Sequence, residues 1–164
     1  MILKNLNKNL LIQISLAFLI FIIDRISKIY VINLNDKNYD TEILSSKYLN
    51  IELIWNKGIA FGLFSFSQSN LYNLITLIIV IIILVILVLI KKSDGIERLS
   101  LSMVFGGALG NLYDRMMFKA VPDFIDFHIA DLHWFIFNVA DIFITLGVIM
   151  LILLEILKTK KNNE

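Results

Sequence analysis

The sequence predicts an α-helical integral membrane protein with four transmembrane helices and a small β-sheet in the extracytoplasmic loop between the first two. Three observations carry this. The chain has 164 residues, 58% of them hydrophobic, with a mean hydropathy of +0.79, whereas soluble domains are nearer half apolar. Residues 71–90 read LYNLITLIIVIIILVILVLI and contain no charge, which is the length a helix needs to cross a bilayer. Basic residues recur in every second connection, the pattern of a chain that threads a membrane repeatedly.

The first span covers about residues 10–32 and is interrupted by Asp24, Arg25 and Lys28. Lys4 and Lys8 precede its apolar run, as in a secretory signal, but the following DRISKIY offers no small-residue cleavage site. An uncleaved span is therefore expected. In the loop 33–70, alternating β-branched and aromatic residues from Tyr48 to Trp55 predict a strand or two, and Asn56-Lys57-Gly58 a turn. The second span is 71–90. The third, about 99–117, is weaker and carries Gly106, Gly107 and Gly110, small residues that let a neighbouring helix approach. After a loop at 118–134 the fourth span runs from about 135 to 157. Lys4 and Lys8, then Lys91, Lys92 and Arg98, then Lys158, Lys160 and Lys161 all fall on one side of this path. Both termini are thus expected in the cytoplasm, with the loops 33–70 and 118–134 outside.

Composition removes several chemistries. Without cysteine there is no disulfide, thiolate nucleophile or Cys-ligated zinc. A net charge of +1 with no basic stripe gives no sign of nucleic acid.

Ionisable residues within spans are expensive and mark function or tight pairing. Asp24 and Lys28 are four apart and share a helix face; with Arg25 they read either as an ion pair reaching for headgroups or as part of a site. Asn111, Asp114 and Arg115 end the third span, where the charges alone would mark a membrane boundary, while Asn111 lies deep enough to need partners. Asn138 and Asp141 begin the fourth span; Asn138 suits a helix N-cap and Asp141 the positive end of the helix dipole. Asp141 is flanked by apolar residues and should seek a partner or a proton. Asp123, after Pro122, is the natural candidate. Two such carboxylates cannot both ionise easily, which yields the acid and base needed to activate water and protonate a leaving amine. A competing metal reading uses Asp126, His128, Asp131 and His133. Their D-x-H-x-x-D-x-H spacing lacks the helix-borne pair of imidazoles found in zinc peptidases, and a solvated loop at headgroup level, anchored by Trp134, is the plainer account.

Five blocks carry a resemblance: DRISK (24–28), WNKGIAFG (55–62), GGALGNLYDR (106–115), VPDFIDF (121–127) and FNVAD (137–141). In order and spacing they resemble the bacterial lipoprotein signal peptidases, signal peptidase II, across the whole chain. The resemblance implies an aspartic endopeptidase needing no metal or cofactor. It would sit in the bacterial inner membrane as a monomer among membrane lipids, with its active site on the extracytoplasmic side. It would cut diacylglyceryl-modified prolipoproteins just before the lipidated lipobox cysteine. By motif position Asp123 and Asp141 are implied as the catalytic pair, with Asn56, Gly58, Asn111, Arg115, Asn138, Asp24 and Lys28 in support. Asn111, Asn138 and Arg115 are also expected to donate to substrate carbonyls and a developing oxyanion. The rivals are a small transporter or channel subunit, whose ion path intramembrane Asp, Asn and Arg would line, and a presenilin-like or prepilin-type protease, whose Gly-x-Gly-Asp motif this chain lacks.

Overall fold

In the computed structural model, which describes residues 2–38, 42–58, 69–129 and 132–162, four long helices and a four-stranded antiparallel sheet alternate. Their order is α1 (Ile2–Asn38), β1 (Glu42–Leu44), β2 (Leu49–Asn56), α2 (Ser69–Lys92), α3 (Gly95–Phe118), β3 (Val121–Ile129), β4 (Leu132–Phe137) and α4 (Val139–Asn162). Residues 10–37 of α1, 72–92 of α2 and 139–160 of α4 are long and apolar enough to cross a membrane. They turn large hydrophobic side chains outward along their length, such as Phe18, Leu77, Leu84 and Leu153. In water that surface would be a liability; in lipid it is the expected exterior.

α3 matches α2 and α4 in length but is not among these apolar spans, and the other three helices all pack on it. Its glycines make this possible. A Cβ on Gly106 would strike the backbone of Ala17 in α1, and one on Gly107 the backbone carbonyl of Ala140 in α4. One on Gly110 would overlap the carboxylate of Asp24. The small residues therefore serve close packing, as their spacing predicts. At one end of the bundle Ile86, Ile90, Leu101 and Val104 form an apolar cluster with Leu10 against it. There Lys158 of α4 also reaches Glu97 of α3 at 2.8 Å. The α2–α3 connection at this end is the two residues Ser93 and Asp94, closed by Gly95 at φ +48°, a left-handed conformation that favours glycine.

The sheet crowns the opposite end, in the order β1-β2-β3-β4. The strand expected over 48–55 is β2. The other half of the sheet comes from the connection between α3 and α4, whose mixed polar and aromatic sequence predicts a loop, so the sheet is not confined to the α1–α2 connection. The same hairpin corrects the start of the fourth apolar segment. Residues 132–137 are strand, and the helix begins only at Val139. β-branched and aromatic residues there favour a pleated strand, and Asn138 stops it by capping a helix. Val31, Leu53 and Phe124 pack the sheet onto α1. Pro122 lies opposite Trp55 of β2, whereas pairing with β4 starts only at Ile125. Its missing N–H therefore falls where β3 has a single neighbour.

Candidate active site

Asp123 and Asp141 reach one cavity from different elements. β3 carries Asp123, paired with Ile54 in the β2 register, and the first turn of α4 carries Asp141. Both are buried, at 3% and 6% exposure. Asn138 lies between them. Its Nδ2 donates to Asp123 Oδ1 at 2.6 Å. Its Oδ1 accepts from the Asp141 backbone N–H at 3.1 Å, while its own N–H donates to Asp141 Oδ2 at 3.2 Å. That reciprocal pair is a capping box with Asp at the third helical position. The cap expected of Asn138 is thus real, and the same cap holds Asp141 in place. Asn56 Nδ2 donates to the other oxygen of Asp123 at 2.8 Å, and Asn111 Nδ2 to Asp141 Oδ1 at 2.8 Å. Burial pushes the Asp123 carboxyl up, and the charge of Asp141 adds to this. The amides of Asn56 and Asn138 pull the other way, and the result is a pKa of about 7.

Beneath the acids lies a closed set of four charges. The Arg25 guanidinium donates to both oxygens of Asp114 and, at 2.9 Å, to Asp24. Lys28 Nζ reaches Asp114 at 2.7 Å, Asp24 at 3.0 Å and Asn111 Oδ1 at 2.8 Å. Asp24, Lys28 and Asp114 have no exposed surface, so the headgroup-seeking role considered for Lys28 and Arg25 and the boundary role for Asp114 are both set aside. Asp114, which in sequence marks only a boundary, stands here with Arg25 in support of the site; the signal for it is two acids and two bases of balancing charge on two long helices. Asp24 also accepts the Ala140 N–H at 3.0 Å, so α1 caps a second free amide at the start of α4.

Arg115 lines the cavity but is already engaged. Its guanidinium donates to the Gly58 carbonyl at 2.5 Å and lies 5.6 Å over the Tyr72 ring, whose hydroxyl donates to the Arg115 carbonyl. Gly58 N–H donates to Asn56 Oδ1, forming the turn predicted after β2. Asn111, Asn138 and Arg115 each donate one bond within the protein, to the two carboxylates and to the Gly58 carbonyl. Residues 59–62 of the WNKGIAFG block lie outside the described residues. Of the metal candidates, His128 Nδ1 lies 3.8 Å from Asp126 Oδ2. Asp131 and the His133 side chain lie outside the description. Among the described residues no three ligand-type side chains gather around one point.

The cavity, about 480 Å³, is open between helices. Asn56, Asn111, Asn138 and the two acids line its sheet end, and Ile83, Val104, Ile144 and Val148 wall it further along α2, α3 and α4.

Long apolar helices with a buried carboxylate pair at the sheet end define a membrane protein with a chemically equipped pocket. The family model for signal peptidase (SPase) II matches residues 16–157. The chain is 48% identical over 158 residues to the lipoprotein signal peptidase of Pelagibacter ubique (strain HTCC1062), covering 96% of this chain and 95% of that one. It is 40% identical over 153 residues to that of Anaplasma phagocytophilum (strain HZ), covering 93% and 97%. A solved bacterial membrane enzyme structure matches with a TM-score of 0.73 at 32% identity, over 93% of this chain and 91% of that one. The chain belongs to the signal peptidase II family, and with its bacterial relatives and apolar helices it is a peptidase of a bacterial membrane.

Proposed function

We propose that this chain is an aspartic endopeptidase of the bacterial inner membrane that removes the signal peptide from diacylglyceryl-modified prolipoproteins, cutting before the lipidated cysteine. The observation that carries this reading is that Asp123 and Asp141, 18 residues apart, flank one amide and line one cavity. One acid is ionised and takes a proton from water; the other, protonated, gives its proton to the scissile carbonyl. Water oxygen bonds to the carbonyl carbon, and collapse of the tetrahedral intermediate expels the amine with a proton from the dyad. The apolar walls below the acids, from Asp141 to Ile149 about 12 Å deep, suit a hydrophobic signal helix. No metal or cofactor takes part.

In this reading α3 is the fourth span, kept from lipid by its three neighbours. Basic residues at the end opposite the sheet put both termini in the cytoplasm and the acids at the outer face, where a lipid-anchored scissile bond lies. The enzyme works as a monomer. Asp123→Asn and Asp141→Asn are each expected to abolish cleavage of a diacylated precursor, read by gel shift, while each variant still unfolds cooperatively in detergent as a folded protein. Processing retained by either purified variant overturns the assignment. Activity is expected to be unchanged by EDTA; loss in EDTA with recovery on zinc would restore the metal reading.

A further inference from the structure

Three asparagines surround the two acids, and each has its carbonyl oxygen held by a group that only donates. Gly58 N–H holds Asn56 Oδ1 at 2.8 Å, Asp141 N–H holds Asn138 Oδ1 at 3.1 Å, and Lys28 Nζ holds Asn111 Oδ1 at 2.8 Å. A backbone N–H and an ammonium have no acceptor, so each amide must turn its NH₂ away from them. Each NH₂ then meets a carboxylate oxygen: Asn56 and Asn138 on Asp123, Asn111 on Asp141.

Two of these locks are main-chain groups and come with the local turn or cap. The third is a side chain brought from α1 as a fully buried charge, which is costly unless every donor is matched. It is matched, since its three N–H groups meet Asp24, Asp114 and Asn111. The two-pronged contact of Arg25 with Asp114 already ties α1 to α3. Joining the helices therefore does not account for the bond from Lys28 to Asn111.

We propose that Lys28 is a positioning residue that fixes the polarity of the Asn111 amide, so that Asp141 Oδ1 faces a donor throughout turnover. The inference rests on the peptidase reading of Asp141. Without the lock, Asn111 can rotate half a turn about its terminal torsion and offer its oxygen to a protonated Asp141, trapping the proton there. With it, Asp141 Oδ1 remains an acceptor and the proton shared by the pair is kept off that oxygen.

The test compares two neutral replacements, Lys28→Gln and Lys28→Met, in full-length protein that also carries Asp114→Asn, so that the four-charge set stays balanced. Glutamine can still donate an N–H to Asn111 Oδ1, although its own oxygen makes it a weaker lock than the ammonium, whereas methionine offers no donor at all. Both are assayed on a diacylated precursor peptide for kcat and KM, alongside thermal melting. The expected result is equal melting temperature and KM, with kcat at least about tenfold lower for methionine than for glutamine. Equal kcat for the two, or a difference confined to KM, overturns the proposal. If the Asp114 change itself prevents folding, the same comparison is made at Lys28 alone, with the same reading. A parent chain that leaves the precursor uncut fails the peptidase reading itself, which separates that failure from this one.

Discussion

Asp123 accepts hydrogen bonds from two amides on opposite oxygens, and a second acid, Asp141, lines the same cavity. Burial, reinforced by Asp141, raises its carboxyl from the ordinary 3.8 to about 7. The sign for stability follows. Below pH 3.8 the carboxyl is protonated whether or not the chain is folded, and nothing is lost. Between pH 3.8 and about 7 the folded state holds the proton that the unfolded state has released, so stability falls as pH rises. Above about 7 the full penalty stands. Melting curves of the parent in detergent should decline across this window, and Asp123→Asn should show a flatter profile there; an unchanged slope would remove Asp123 from the titrating pair. The residues around it divide by how they were legible. Asp123, Asp141, Asn111 and Asn138 stand out in sequence as polar groups in apolar surroundings. Arg25 and Asp114 do not, because a charge near a helix end has a cheap explanation at the membrane surface. Only their contact, 89 positions apart in the chain, shows that they neutralise each other inside the bundle.

At the level of elements, the start of α4 is where structure and chemistry share the same atoms. Asn138 closes the capping box with Asp141, Asp24 takes the Ala140 N–H, and the amide left over on Asn138 holds Asp123. Cap and site are separable by substitution. Asn138→Ser keeps a good capping oxygen and loses the donor to Asp123, so it should retain the cap's share of stability and yet lose most activity. Asn138→Ala loses both, and should cost about 1 kcal/mol more in stability. Melting curves and cleavage assays on the two variants check this; equal activity in Asn138→Ser and the parent would mean that the amide is only a cap. The β3–β4 hairpin was the element least visible in sequence. Its FIDFHIADLHWFIF run mixes aspartates and histidines with aromatics, so it reads as a polar loop followed by an apolar span. Pairing with β2 is what makes it sheet, and that partner lies some 70 residues earlier.

For the whole molecule, Lys91, Lys92, Arg98 and Lys158 lie at the end of the bundle opposite the acids, with Lys158 beside Glu97 there and the sheet capping the other end. The absence of cysteine makes the orientation simple to test. A single cysteine at Ser46, exposed beside the sheet, should react with a membrane-impermeant maleimide in intact spheroplasts, and one at Lys160 only after lysis. The reverse pattern would put the acids on the cytoplasmic face. Sequence alone determined that the chain is a membrane protein, where its apolar segments lie and which family its blocks resemble. These depend on local quantities: run length, charge placement and motif spacing. Tertiary structure decided which of the buried polar groups face one another. It paired Asp114 with Arg25 and Lys28. It joined two separate connections into one sheet. It turned the three asparagines toward the carboxylates. Those outcomes depend on helix rotation and strand register between distant segments, and in a low-dielectric interior it is the partner across the interface that determines whether a charge is a strut or a reagent.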